Sequence, residues 1–205
     1  MLKLKKIAVT GGLSSGKSLV CKYLAEHGAY IVNADEIVHK LLNLNTELGK
    51  KVVELVGPSV IVDDAIDRKR VATKVFLNPK LLRLLEQLLH PPTYKEIEKQ
   101  YRKLQKKKDP PPLFVAEVPL LFETGGDRFF DFTVAVIAER GICWERYRKM
   151  TGYEREDFNR RMARQFTQHE KAEKADYIIR NYGTTAELRM KVKTLFDTLT
   201  NKSPI

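Results

Sequence analysis

The chain has 205 residues, 43% hydrophobic and 31% charged, with a formal net charge of +11. That length and balance fit one sizeable folded core with room for a small appended lobe, and exclude a disordered or fibrous chain. No apolar run approaches the roughly 20 residues that cross a bilayer, and the basic start Met1 to Lys6 leads into an apolar stretch too short for a secretion signal.

The first predicted element is a short buried strand, Ile7 to Thr10. Gly11-Gly12-Leu13-Ser14-Ser15-Gly16-Lys17-Ser18 follows it and fits the pattern Gly, four residues, Gly-Lys-Ser. Leu19, Val20, Tyr23 and Leu24 then recur at helical spacing, and Gly28 is placed to stop that helix. Strand, glycine loop and helix is the order that aims backbone N–H groups and a positive helix end at one anion. Lys17 can reach the outer phosphates of a nucleoside triphosphate, and the Ser18 hydroxyl can hold magnesium. The bland alternative is an ordinary glycine turn.

A second strand, Tyr30 to Val32, ends at Asn33-Ala34-Asp35. In open α/β sheets ligands gather at the carboxyl ends of strands, so Asp35 is expected to project toward the crevice. There it can accept a proton or support a metal, while its competing role is to cap a helix beginning at Glu36. The next stretch, about 36–112, is too long for a simple crossover. It carries helical patterns over 37–42, 48–56, 70–76, 81–89 and 94–106 and reads as a mainly helical insertion. His90-Pro91-Pro92 is expected to end the helix 81–89, and Asp109 to Pro112 to break the last one.

A third strand spans Leu113 to Val118, with Glu117 just before its end and the apolar block Pro119 to Phe122 beyond, either core or the wall of an acceptor site. The fourth strand is Phe132 to Ala138 and the fifth Tyr177 to Ile179. Between these two, residues 139–174 are helical, arginine-rich and lightly apolar. Weak core contacts and many cations there predict a mobile lid over phosphates, against the simpler reading of a solvated helical face. Continuous apolar strands separated by helices predict an α/β fold with a doubly wound, five-stranded parallel sheet. The expected core is 1–35, 113–138 and 175–205, all within one domain of 1–205.

Cys21 and Cys143 stand at no metal-ligand spacing and within helical patterns, so buried or half-buried thiols in a reducing cytoplasm are expected. The positive charge, clustered at Lys3 to Lys6, Lys103 to Lys108 and Arg140 to Arg164, admits nucleic acid, an anionic membrane or phosphorylated small molecules. A nucleic-acid reader should interleave aromatics or carry a recognised module, and neither is present.

The blocks TGGLSSGKS, VNADEIVH, IDRKRV with VF, LLHPP, EVPLLFE, the arginine-rich segment ending in RQ, and ADYIIRNYG resemble, in this order, the dephospho-CoA kinase family. They run from Thr10 to Gly183, nearly the whole chain. The resemblance implies a P-loop kinase fold with a helical CoA-binding insertion and a helical lid. The implied reaction moves the γ-phosphate of ATP to the ribose 3′-hydroxyl of dephospho-CoA, giving CoA and ADP, with Mg2+ as cofactor. Carried onto this sequence, Asp35 is the base. Gly11, Gly12, Leu13, Ser14, Ser15, Gly16, Lys17, Ser18 and Leu19 hold ATP phosphates, and Ser18 the metal. Arg146 neutralises the transferring phosphoryl group, Asn181 and Gly183 meet the adenine, and His90, Pro119 and Leu120 line the acceptor side.

The chain departs from the family's pattern at several positions. Ser14 stands for the usual glycine, Leu19 for a frequent threonine, Asn33 for the first aspartate of D-A-D, and Glu117 for a common aspartate. Met150 falls on the second lid arginine, leaving Arg148 or Lys149 as substitutes. The partners implied are ATP and dephospho-CoA, with no nucleic acid and no membrane, for a monomer in the cytoplasm. The alternatives are a nucleoside or nucleotide kinase, which should lack the HP and PLLFE blocks, and a nucleic-acid-binding P-loop ATPase.

Overall fold

A computed structural model of the chain describes residues 4–201. Lys3 of the basic cluster, and the ends of the expected core at 1–3 and 202–205, lie outside the described residues. In chain order the elements are β1 (Lys5–Gly11), α1 (Lys17–Glu26), β2 (Tyr30–Asn33), α2 (Ala34–Leu41), α3 (Glu47–Val56), β3 (Ile61–Val62) and β4 (Ala65–Ile66). Then come α4 (Arg68–Phe76), α5 (Pro79–Gln105), β5 (Leu113–Glu117), β6 (Phe132–Ile137), α6 (Arg140–Thr151), α7 (Arg155–Met162), α8 (Gln168–Lys174), β7 (Tyr177–Arg180) and α9 (Thr185–Asn201). They divide into two compact units: one runs to Asn33 and resumes at Tyr101, and the other is Ala34–Gln100.

The first unit is built on a five-stranded sheet of order β2-β5-β1-β6-β7, with every pair parallel. A parallel sheet needs cover on both faces, and all five residues of β5 are buried. Ile7, Val9, Leu113, Val115, Val134 and Val136 share one face, closed by Val20 and Leu24 of α1 and by Leu188 and Val192 of α9. Each such fully buried aliphatic stabilises the fold by about 1.5–3 kcal/mol. Ala8, Phe114, Ala116 and Ala135, equally buried, alternate to the other face. There the Tyr101 ring meets Phe114 edge-on at 5.4 Å, and its hydroxyl donates to the Leu4 carbonyl at 2.7 Å.

The five strands occupy the positions their apolar runs predicted, to within two residues at each end. Glu117 differs in detail: it is the last residue of β5 rather than one short of the strand end. Because the strands are parallel, Gly11, Asn33, Glu117, Ile137 and Arg180 all end on one edge of the sheet. The chain leaves central β1 for β2 and β5 on one side and β6 and β7 on the other, placing the topological switch at the end of β1.

The segment expected as a lightly apolar flap has a core of its own. Cys143, Tyr147 and Phe158 are buried with Ala138, and Leu13, Ile142, Trp144 and Met162 pack against them. Weak core contact therefore does not describe 139–174, because its apolar residues are few but aromatic and large.

The second unit encloses Val52, Val56, Val60, Ile66, Val71, Val75 and Leu85. The Thr46 side chain caps α3 by accepting from the Gly49 amide, and the Asp67 side chain caps α4 by accepting from Lys69 and Arg70. The insertion also carries an antiparallel β3–β4 hairpin, which its helical patterns did not announce. His90-Pro91-Pro92 does not end a helix. α5 runs unbroken over Pro79–Gln105 with both prolines inside. Two proline nitrogens cannot donate to the Gln87 and Leu88 carbonyls, and the helix resumes as the Thr93 hydroxyl bonds the Leu89 carbonyl at 2.7 Å.

Candidate active site

The glycine loop leaves β1 at the sheet edge just described. A Cβ on Gly11 would lie 2.1 Å from the Val136 carbonyl oxygen, and one on Gly16, at φ 101°, would lie 2.2 Å from Asn181 Nδ2. Only glycine fits at either place. Ser14 adopts φ 55° without being glycine, so the serine found there sits in the left-handed region at a strain cost of about 1–3 kcal/mol. Gly16 is the N-cap of α1 and offers no side chain, so the first amides of α1 stay available to an anion.

Lys17 is buried, and its ammonium donates to the Gly11 and Gly12 carbonyls at 3.2 and 2.8 Å, which places it over the loop. Ser14 Oγ and Ser15 Oγ are buried with no hydrogen-bond partner among the described residues. Buried hydroxyls without partners are costly, and two of them beside a nest of amides fit a phosphate chain that would accept from them.

At the foot of the loop, the Ser18 hydroxyl donates to Glu117 Oε1 at 2.8 Å, and Asn33 Nδ2 donates to Glu117 Oε2 at 3.4 Å. An all-oxygen pair beside a phosphate loop suits magnesium, which takes one or two protein ligands and completes its shell with water and phosphate. Among the described residues no group of three or more His, Cys, Asp and Glu is placed to hold a metal ion. Ser18 and Glu117 are the residues that would hold the ion. Cys21 lies behind them. Burial, above all, pushes its thiol well up, the Glu117 charge and hydrogen bond add to this, and Lys17 opposes it, so Cys21 stays a neutral thiol. Both cysteines are free and buried.

Arg146 of α6 reaches the same loop. Its guanidinium donates to the Ser15 carbonyl at 3.3 Å and the Asn181 carbonyl at 3.4 Å. Asn181 follows β7, is buried, and donates from Nδ2 to the Ser15 carbonyl at 2.9 Å. Gly183 lies two residues on, before the reciprocal Thr184–Glu187 cap that opens α9. Met150 is 72% exposed. Arg148 pairs with Glu145 at 2.9 Å on the surface.

On the β5 side, Pro119 and Leu120 are half-buried in the turn after the strand, while Leu121 and Phe122 are core. In the helical unit, Asp35 is exposed in the first turn of α2. That helix starts at Ala34, so Asp35 is not the cap of a helix starting at Glu36. His90 is half-buried within α5, where burial lowers its pKa below the ordinary 6.5, leaving a neutral imidazole at pH 7.

Sequence reasoning missed Gln168 and Lys171 of α8. The Gln168 carboxamide both accepts from the Ala138 amide and donates to its carbonyl, each at 2.6 Å. A Cβ on Gly12 would strike Gln168 Cγ at 2.9 Å. The legible signal was the capping box Thr167-x-x-Glu170, which fixes where α8 begins.

A parallel sheet switching at β1, a glycine cradle, and a hydroxyl–carboxylate pair at its foot define a phosphate-loop kinase. A family model described as Dephospho-CoA kinase matches residues 5–187. A dephospho-CoA kinase of Protochlamydia amoebophila (strain UWE25) is 48% identical over 199 residues, covering 97% of this chain and 98% of that one. Among solved structures, one from Thermus thermophilus superposes with TM-score 0.81 at 26% identity, covering 97% of this chain and all (100%) of that chain. A dephospho-CoA kinase from Campylobacter jejuni gives TM-score 0.70 at 25% identity, over 95% of this chain and 96% of that one. The chain belongs to the dephospho-CoA kinase family.

Proposed function

We propose that the chain transfers the γ-phosphate of ATP to the ribose 3′-hydroxyl of dephospho-CoA, releasing CoA and ADP. The observation that carries this reading is the Ser18–Glu117 pair beneath a loop with two unpartnered buried serine hydroxyls, in a chain matched to the family over 5–187. Phosphoryl transfer needs positioning and neutralised charge more than covalent help. Lys17 and the loop amides hold the triphosphate. Arg146 spends two of its five N–H donors on backbone carbonyls and keeps the rest for phosphate oxygens. Magnesium, held by Ser18 and Glu117, would supply further neutralisation of the β- and γ-oxygens.

Asp35 takes the proton of the attacking hydroxyl. It follows Asn33, whose carboxamide already touches Glu117, by two residues. Asn181 and Gly183 face the adenine, and His90, as a neutral imidazole, meets the acceptor by hydrogen bonding together with Pro119 and Leu120. The protein works in the cytoplasm as a monomer; its two free thiols agree with a reducing compartment. The test is an ADP-release assay offered dephospho-CoA, nucleosides and DNA in turn. Release only with dephospho-CoA is expected; release with nucleosides, or stimulation by DNA, would replace this reading with another kinase or an ATPase.

A further inference from the structure

A lysine that is 0% exposed is rare, and Lys171 of α8 is one. Its ammonium donates to the Pro119 carbonyl at 2.6 Å and pairs with Glu123 Oε1 at 2.9 Å. That carboxylate oxygen also accepts from the Phe166 amide at 2.8 Å. The same Pro119 carbonyl accepts from the Thr10 hydroxyl at 3.1 Å, one residue before the glycine loop. A single backbone oxygen thus ties the end of β1, the turn after β5 and α8 together. One turn earlier on α8, Gln168 braces Gly12.

Burying an ion pair costs about as much as the pair returns, and an apolar side chain of similar volume is often no worse for stability. Burial lowers the Lys171 pKa, and the charge and hydrogen bond of Glu123 oppose that shift. What methionine could not replace is the donor to Pro119.

We propose that Lys171, braced by Glu123, is a positioning residue for the acceptor substrate, fixing the Pro119–Leu120 segment relative to the glycine loop. The inference rests on the reading in which that segment lines the dephospho-CoA side. It separates two roles on α8: Gln168 supports the loop that holds ATP, and Lys171 the turn that meets the acceptor.

Lys171→Met, Glu123→Gln and the double variant are compared with the unaltered enzyme for melting temperature and for KM toward each substrate. Lys171→Met alone leaves the half-buried Glu123 carboxylate without its cation, so it melts lower. The double variant removes both charges and regains most of that loss. If Lys171 only holds the fold together, acceptor KM recovers along with melting temperature. The positioning role predicts instead that KM for dephospho-CoA stays about tenfold raised in the double variant while KM for ATP moves less than about twofold. Glu123→Gln, which keeps the ammonium, should show a smaller rise of the same kind. An unchanged acceptor KM in the double variant, or an equal rise for both substrates, overturns the inference alone. Absence of turnover with dephospho-CoA in the unaltered enzyme overturns the functional reading, and the inference with it.

Discussion

The Ser18 hydroxyl lies 2.8 Å from Glu117 Oε1, joining the first turn of α1 to the last residue of β5. This contact bears on where a metal could sit, because it brings the residue after the loop lysine to the only carboxylate, among the described residues, that ends a strand of the five-stranded sheet. Glu117→Gln keeps the shape and removes the charge. Its expected effect is a rise of about 10- to 100-fold in the magnesium concentration for half-maximal rate. A magnesium titration that superposes on that of the unaltered enzyme would remove Glu117 from the metal site.

If Asp35 takes the proton of the attacking hydroxyl, as proposed, Asp35→Asn should lower kcat by about 10²- to 10⁴-fold and leave ATP affinity close to normal, since the change would delete the base and no phosphate contact. Rapid-quench turnover and ATP titration measure the two quantities. Near-normal turnover would assign proton removal elsewhere.

Arg146 is docked on backbone carbonyls of Ser15 and Asn181. Arg146→Ala should therefore cost more in kcat, about 10²-fold or more, than in ATP affinity, because neutralisation matters most as the phosphoryl group moves. Equal losses in both would reduce it to a ground-state ATP contact.

His90 titrates below its ordinary 6.5 because burial disfavours the imidazolium. The unfolded chain then binds more protons than the folded one just below 6.5, so the stability this neutral histidine contributes is complete above 6.5 and is lost as pH falls. Urea unfolding compared above pH about 7 and below about 6 should show His90→Gln losing less stability on acidification than the unaltered protein. An identical loss in both would place the acid sensitivity in another group.

Much of the sheet was legible because parallel strands are buried on both faces, which makes β5 and β6 read as unbroken apolar runs whatever surrounds them. The glycine loop was legible because a Cβ at Gly11 or Gly16 has nowhere to go. The Pro91-Pro92 pair misled because local breaking rules take no account of packing, and α5 continues with buried Leu85 on one side of the pair and Ile97 on the other. Lys171 was invisible for a related reason: a lysine destined for an internal carbonyl has the same letter as one in solvent. The aromatic core around Tyr147 and Phe158 was diluted by arginines in the sequence, yet the Tyr147 hydroxyl of α6 donates to Asp157 of α7 and so joins the two helices, while Arg161 pairs with the same carboxylate from within α7.

Transfer goes to one particular hydroxyl, the ribose 3′-hydroxyl of dephospho-CoA. The direct measurement is ADP release with dephospho-CoA and with its 3′-deoxy analogue, with the products identified by mass. One CoA formed for each ADP is expected from the natural substrate, with no transfer to the analogue. Phosphorylation of the analogue, or ADP formed without CoA, would contradict it.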